Sequence, residues 1–231
     1  TLTGPGGAGK TSLALEIAGG VADRYPDGVR LIRLAGVDDP SAVPEIVAES
    51  VGAQRPAGTV SESLLGYLRD RSTLLVVDNC EHLVQACAEL VERLLTSSSK
   101  LRLLTTSREP LRVPGEVQVA VAPLPVPPTG ADPEKARDYA AVQLFLQRAK
   151  TVDPALDVDD RALADIAEIC RQLDGLPLAL ELAAARLSTL TIGDLTARLG
   201  DRFRLLTGGA RTAESRQKTL QAAVDWSHQL L

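Results

Sequence analysis

Gly4-Pro5-Gly6-Gly7-Ala8-Gly9-Lys10-Thr11 is the stretch on which the fold turns. It fits G-x-x-x-x-G-K-[ST] at every fixed position. Glycines let the backbone curl so that successive N–H groups point inward, which suits the oxygens of a phosphate. The helix expected next, over Leu13–Ala18, adds the positive end of its dipole. Lys10 supplies a point charge for terminal phosphates and Thr11 a hydroxyl for magnesium, with Ser12 beside it in the first turn. Such a loop needs a buried strand feeding into it, and only Thr1-Leu2-Thr3 precedes it.

Outward from the loop, strand-like and helix-like stretches alternate. Val29–Leu34 reads as a strand, Ser41–Val51 and Ser61–Arg69 as helices. Leu74-Leu75-Val76-Val77 is a continuous apolar run, as expected of a strand covered on both faces. Leu83, Val84, Cys87, Leu90, Val91 and Leu94 then trace one helical face. Leu101–Thr105 and Val117–Val121 read as further strands. The alternation predicts an α/β fold, a parallel sheet with helices on both faces.

The composition then changes. Pro123-Leu124-Pro125-Val126-Pro127-Pro128, followed by Gly130 and Pro133, cannot extend a sheet and reads as a semi-rigid linker. Beyond it the pattern is helical only, over Ala140–Ala149, Asp160–Leu173, Leu176–Leu187 and Ile192–Leu199. The expected organisation is an α/β domain over residues 1–122, a linker over 123–137, a helical-bundle lid over 138–210 and a further domain beginning at 211. The chain opens without methionine, and Leu220, Val224 and Leu231 keep a helical period up to the last residue. The expectation is the middle portion of a longer protein.

Two more segments bear on chemistry. The buried run ends in Asp78, which places a carboxylate at the sheet edge where ligands collect, able to hold magnesium through water. Many hydrolytic P-loop proteins follow this acid with a second one that activates water; here Asn79 stands instead, which cannot act as a base. Glu81 and His82 lie near enough to substitute, while Glu81 reads equally well as a first-turn charge complementing a helix dipole. Leu101–Thr105 leads into Thr106-Ser107-Arg108-Glu109. An arginine there can fork onto a terminal phosphate, or simply pair with Glu109 or solvent.

Composition narrows the class. A formal net charge of −5 argues against this segment binding nucleic acid by itself. The basic stretch Arg198, Arg202, Arg204, Arg211, Arg216 and Lys218 reads as a solvated face. Neither a membrane span nor a secretory signal is recognisable, and the expectation is a cytoplasmic protein. Cys80, Cys87 and Cys170 form no metal spacing with the two histidines and read as buried free thiols. No Asn-Lys-x-Asp guanine reader and no Leu-Ser-Gly-Gly-Gln transporter signature occurs.

The glycine loop, the strand ending Asp78-Asn79-Cys80-Glu81-His82, Thr105-Thr106-Ser107-Arg108-Glu109 and Gly175-Leu176-Pro177-Leu178 occur in that order. Together they resemble the NB-ARC branch of the STAND signal-transduction ATPases, as in bacterial regulators of the SARP and LuxR types. The resemblance implies ATP or ADP with Mg2+, Lys10 and Thr11 as phosphate and magnesium contacts, and Asp78 as the acid of the second motif. It makes Arg108 the γ-phosphate sensor and Pro177 a lid residue near adenine and ribose. Arg216–Ser227 resembles the opening of a winged-helix domain. The implied function is a nucleotide-operated switch with slow hydrolysis, with DNA binding elsewhere in the protein and self-assembly in the ATP state. A metabolic P-loop kinase and a nucleotide-binding scaffold without turnover are the other classes.

Overall fold

The computed structural model describes residues 1–53 and 59–206. Its strands are β1 (Leu2–Thr3), β2 (Val29–Arg33), β3 (Leu74–Asp78), β4 (Arg102–Thr105) and β5 (Val119–Ala120), all paired in parallel. β2, β3 and β4 adjoin in that order, and β1 pairs with β5. A bridge from Leu2 to Thr106 joins the two sets, reinforced by the Ser107 N–H donating to the Leu2 carbonyl at 3.1 Å. The end of β4 therefore lies between β3 and the strand feeding the glycine loop.

Helices α1 (Lys10–Gly20), α2 (Val43–Val51), α3 (Val60–Leu68) and α4 (Val84–Ser97) cover this sheet. Successive β3 side chains point to opposite faces. Leu74 and Val76 pack with Ala14 and Ala18 of α1. Leu75 and Val77 pack with Val47, Leu64, Leu90 and Leu94 of the other three helices. Burial on both faces is why the run has no polar alternation, and each fully buried Leu or Val contributes about 1.5–3 kcal/mol. β3 is held firmly enough to carry a carboxylate at its end.

The chain divides into two compact units, Thr1–Gly4 with Lys10–Val121, and Pro5–Gly9 with the residues from Ala122 onward. Helices α5 (Pro133–Ala136), α6 (Ala140–Val152), α7 (Asp160–Gln172), α8 (Pro177–Ala185) and α9 (Ile192–Leu206) form the second unit. Phe145, Leu163, Ile166, Leu173 and Leu180 are fully buried at its centre. Asp159 caps α7, its carboxylate accepting from the Ala162 N–H at 2.8 Å.

Three features differ from the sequence reading. The strand expected over Val117–Val121 shrinks to two exposed residues, and Val117 is 74% exposed. Its only strand partner among the described residues is the two-residue β1, so little ladder exists to extend it. The proline-rich stretch contains the one-turn helix α5, capped by Asp132. That stretch also packs along the helical unit. The Leu124 N–H donates to the Gly175 carbonyl at 2.9 Å, and Arg171 Nη1 donates to the Pro127 carbonyl at 3.2 Å. The expected start of a further domain at 211, with its winged-helix likeness, lies outside the described residues.

Gly175 has φ +64°, and a Cβ there would overlap the Leu124 carbonyl oxygen. Gly130 has φ +75° with nothing within 4 Å of the corresponding position. Gly130→Ala is expected to lower stability by about 1 kcal/mol, the left-handed backbone cost alone. Gly175→Ala should lose about 2–4 kcal/mol because the linker must also shift. Denaturant midpoints at unchanged slope read the difference, and equal losses would refute the packing role given to Gly175.

Candidate functional site

Parallel strands end together, so the residues following β1, β3 and β4 emerge at one sheet edge. The glycine loop leaves β1 through Gly4, whose φ is +143° and whose Cβ would overlap the Val121 carbonyl oxygen. Only glycine satisfies both constraints. Gly7 and Gly9 also have positive φ, at 74° and 91°. The loop then closes on itself, Lys10 Nζ donating to the Gly4 carbonyl at 2.9 Å.

The apex of the loop, Pro5–Gly9, packs within the helical unit. There the Leu178 N–H at the start of α8 donates to the Gly7 carbonyl at 3.2 Å. Pro177, the first residue of α8, lies beside Gly9, 3.9 Å from where its Cβ would be. Proline suits that position because a first-turn residue has no helical acceptor for an N–H.

At the sheet edge the decisive contact is made by Asp78. Its side chain is buried, and Oδ1 accepts from the Thr11 hydroxyl at 2.7 Å and the Thr106 hydroxyl at 2.6 Å. The Thr106 oxygen in turn accepts the Asn79 N–H at 2.9 Å, and its carbonyl accepts the Cys80 N–H at 2.9 Å. Thr106 thus fastens the exit of β3 to the exit of β4. Sequence reading passed over Thr106; the signal was a hydroxyl directly after a buried strand adjoining the one that ends in Asp78.

Asn79 has φ +69°, the left-handed region. Asparagine tolerates that region far better than most residues with a Cβ. The position therefore has a backbone reason to be Asn, independent of any loss of a basic group. Its amide nitrogen lies 3.2 Å from His82 Nδ1, and His82 Nε2 lies 2.9 Å from the Val37 carbonyl. A carbonyl only accepts, so Nε2 carries the proton and Nδ1 receives the Asn79 amide hydrogen.

Glu81 lies on the turn Cys80–His82, and Arg108 Nε donates to its Oε1 at 3.1 Å. The sequence offered Glu109 or solvent as alternatives; the partner is an acid from the neighbouring strand exit. Ser12 sits exposed in the first turn of α1. Lys10 is buried, and that burial pulls its ammonium below the ordinary lysine range. Glu81 and Asp78 oppose this effect and Arg108 adds to it. Gly4, Lys10, Thr11, Asp78, Glu81 and Arg108 belong to the sheet unit, whereas Pro5–Gly9 and Pro177 belong to the helical one.

The architecture is the α/β fold of P-loop nucleoside triphosphatases, and solved structures share it. The chain is similar to Cdc6p of Pyrobaculum aerophilum, at 15% identity and TM-score 0.54 over 80% of this chain and 53% of that one. It is also similar to Drosophila ORC bound to DNA, at 17% identity and TM-score 0.57 over 89% and 60%. Identities so low speak to the fold alone.

Sequence relatives include proteins named as regulators. The chain is 41% identical over 232 residues to a Mycobacterium tuberculosis protein named as an HTH-type transcriptional regulator, covering 100% of this chain and 25% of that protein. It is 30% identical over 220 residues to the regulatory protein AfsR of Streptomyces coelicolor, covering 89% and 20%. The chain thus spans a quarter or less of the length of these relatives. No family model matches it.

Thr106→Val keeps the shape and removes the hydroxyl that joins Asp78 to the Asn79 N–H. A loss of about 1–3 kcal/mol in unfolding free energy is expected, with Thr106→Ser close to wild type. If the valine variant is as stable as wild type, the hydroxyl does not fasten the two strand exits.

Proposed function

We propose that this chain is an ATP- and ADP-binding switch module of the NB-ARC/STAND type within a bacterial transcriptional regulator. The observation that carries the reading is the 2.7 Å hydrogen bond between the Thr11 hydroxyl and Asp78, which unites the glycine loop with the acid at the end of β3. The donor set fits a magnesium nucleotide. Lys10, which donates to the Gly4 carbonyl, would hold the terminal phosphates with its ammonium, and backbone N–H groups of the glycine loop would hold further phosphate oxygens. Thr11, whose hydroxyl donates to Asp78, and Asp78 itself would hold the magnesium ion. Bound magnesium would supply positive charge to neutralise the phosphates. Among the described residues no cluster of three or more His, Cys, Asp or Glu side chains forms, so the ion would draw most of its ligands from phosphate and water.

Two features favour a switch with slow turnover. Asn79 stands where a second carboxylate would activate water and cannot act as a base, and Glu81 is engaged by Arg108. The apex of the loop is also tied to the start of α8, the Leu178 N–H donating to the Gly7 carbonyl at 3.2 Å. A phosphate that reorders Gly6–Gly9 acts on that apex, which gives the nucleotide different free energies in two arrangements. Arg108 reads the γ-phosphate, and Pro177 follows the loop. A scaffold without turnover is the second reading, favoured by Asn79. Among the described residues no helix is long and apolar enough to cross a membrane. Cytoplasmic location, DNA binding by another part of the protein and self-assembly in the ATP state complete the proposal.

Lys10→Ala is expected to weaken Mg-ADP binding about 10- to 100-fold by calorimetry, the range for a lost charge-assisted contact. The sign of the pH effect follows from burial. Buried Lys10 holds its proton less tightly than normal, and an incoming phosphate restores that hold. Binding should therefore take up a proton on the alkaline side, where free Lys10 begins to lose its own, and affinity should fall as pH rises there. Heats that do not vary with buffer ionisation enthalpy there would contradict the assignment. The switch itself is read by small-angle scattering of the protein saturated with ADP or with a non-hydrolysable ATP analogue. Different curves are expected, and superimposable ones would sink it.

A further inference from the structure

The sequence left Glu81 open between a catalytic base and a helix-dipole charge, and its surroundings favour neither. Glu81 is held on both sides. The Cys80 N–H donates to the Thr106 carbonyl at 2.9 Å, and His82 Nε2 donates to the Val37 carbonyl at 2.9 Å. Arg108 follows Thr106 by two residues, and Thr106 is the group that ties the two strand exits together. The 3.1 Å contact between Arg108 Nε and Glu81 Oε1 therefore joins two anchored backbone segments rather than two wandering side chains. Its partners differ in exposure, 17% for Glu81 and 52% for Arg108. The acid is the fixed member and the guanidinium the one with room to move.

We propose that Glu81 competes with the terminal phosphate of a triphosphate for Arg108, and so sets the preference of the site between ATP and ADP. This rests on the nucleotide-binding reading above and deepens it. A diphosphate leaves the Glu81–Arg108 pair undisturbed. A triphosphate brings a third phosphoryl group with oxygens able to accept from the same guanidinium, and must displace a carboxylate to do so. The cost of displacement is small because the pair is solvent-screened on the arginine side. A cost of that size tunes a ratio without abolishing binding. Glu81 acts through Arg108 and is in this sense a specificity-setting residue, not a catalytic one.

The test is a double-mutant cycle on the ATP-analogue to ADP affinity ratio, measured by calorimetry on wild type, Glu81→Gln, Arg108→Ala and the double variant. Glu81→Gln should raise the ratio about 2- to 5-fold, the range for a partly exposed ion pair. Arg108→Ala should lower it, and adding Glu81→Gln to Arg108→Ala should leave the ratio within about 1.5-fold of the single arginine variant. An equal rise in both backgrounds would show Glu81 acting by direct repulsion of phosphate, and would overturn the proposal. So would an unchanged ratio accompanied by loss of ATP turnover in Glu81→Gln, the mark of a general base. Failure of the wild-type chain to bind either nucleotide would instead overturn the nucleotide-binding reading on which the proposal rests.

Discussion

A nearly buried carboxylate needs its hydrogen bonds satisfied from within the protein, and Asp78 obtains two from hydroxyls that no local sequence brings together. Thr11 belongs to the helix after the glycine loop, and Thr106 to the exit of β4. One oxygen of one side chain thereby fixes two strand exits and the first turn of α1 relative to one another. The loop geometry, the turn bearing Glu81 and the position of Arg108 all depend on that node. With Asp78 displaced, the Thr11 hydroxyl and the Cys80–His82 turn lose their common reference.

The same node accounts for the odd residue beside it. The chain leaves β3 through a left-handed Asn79 and immediately re-enters a turn. That turn carries Glu81, which accepts from Arg108 Nε. The sheet edge thus stations an arginine against a carboxylate, with a buried lysine in the loop. The loop apex is held in the helical unit by the Leu178 N–H.

Much of this was legible in the sequence where the cause is local. The glycine loop declares itself because positive φ values and a close approach to Val121 leave little choice of residue at Gly4. β3 declares itself because burial on both faces erases polar alternation. Thr106 was not legible, since its importance comes from β3 and β4 being neighbours, a fact of topology rather than of spacing. Nor was the partner of Arg108, because Glu109 is adjacent in sequence while Glu81 is adjacent in space. The proline run was read as a spacer from composition alone; its carbonyls and N–H groups find partners on α7 and at Gly175, which composition cannot reveal. Val117–Val121 was read too long because apolar content does not say whether a neighbouring strand is there to pair with.

The central claim is that phosphate is held by the backbone between Gly4 and Thr11. Amide chemical shifts of the isotopically labelled protein, followed during titration with Mg-ADP, test it at single-residue resolution. The account predicts that the Gly6, Gly7, Gly9, Lys10 and Thr11 amides move most and saturate together. Saturable shifts centred elsewhere, with these five amides unmoved, would contradict it.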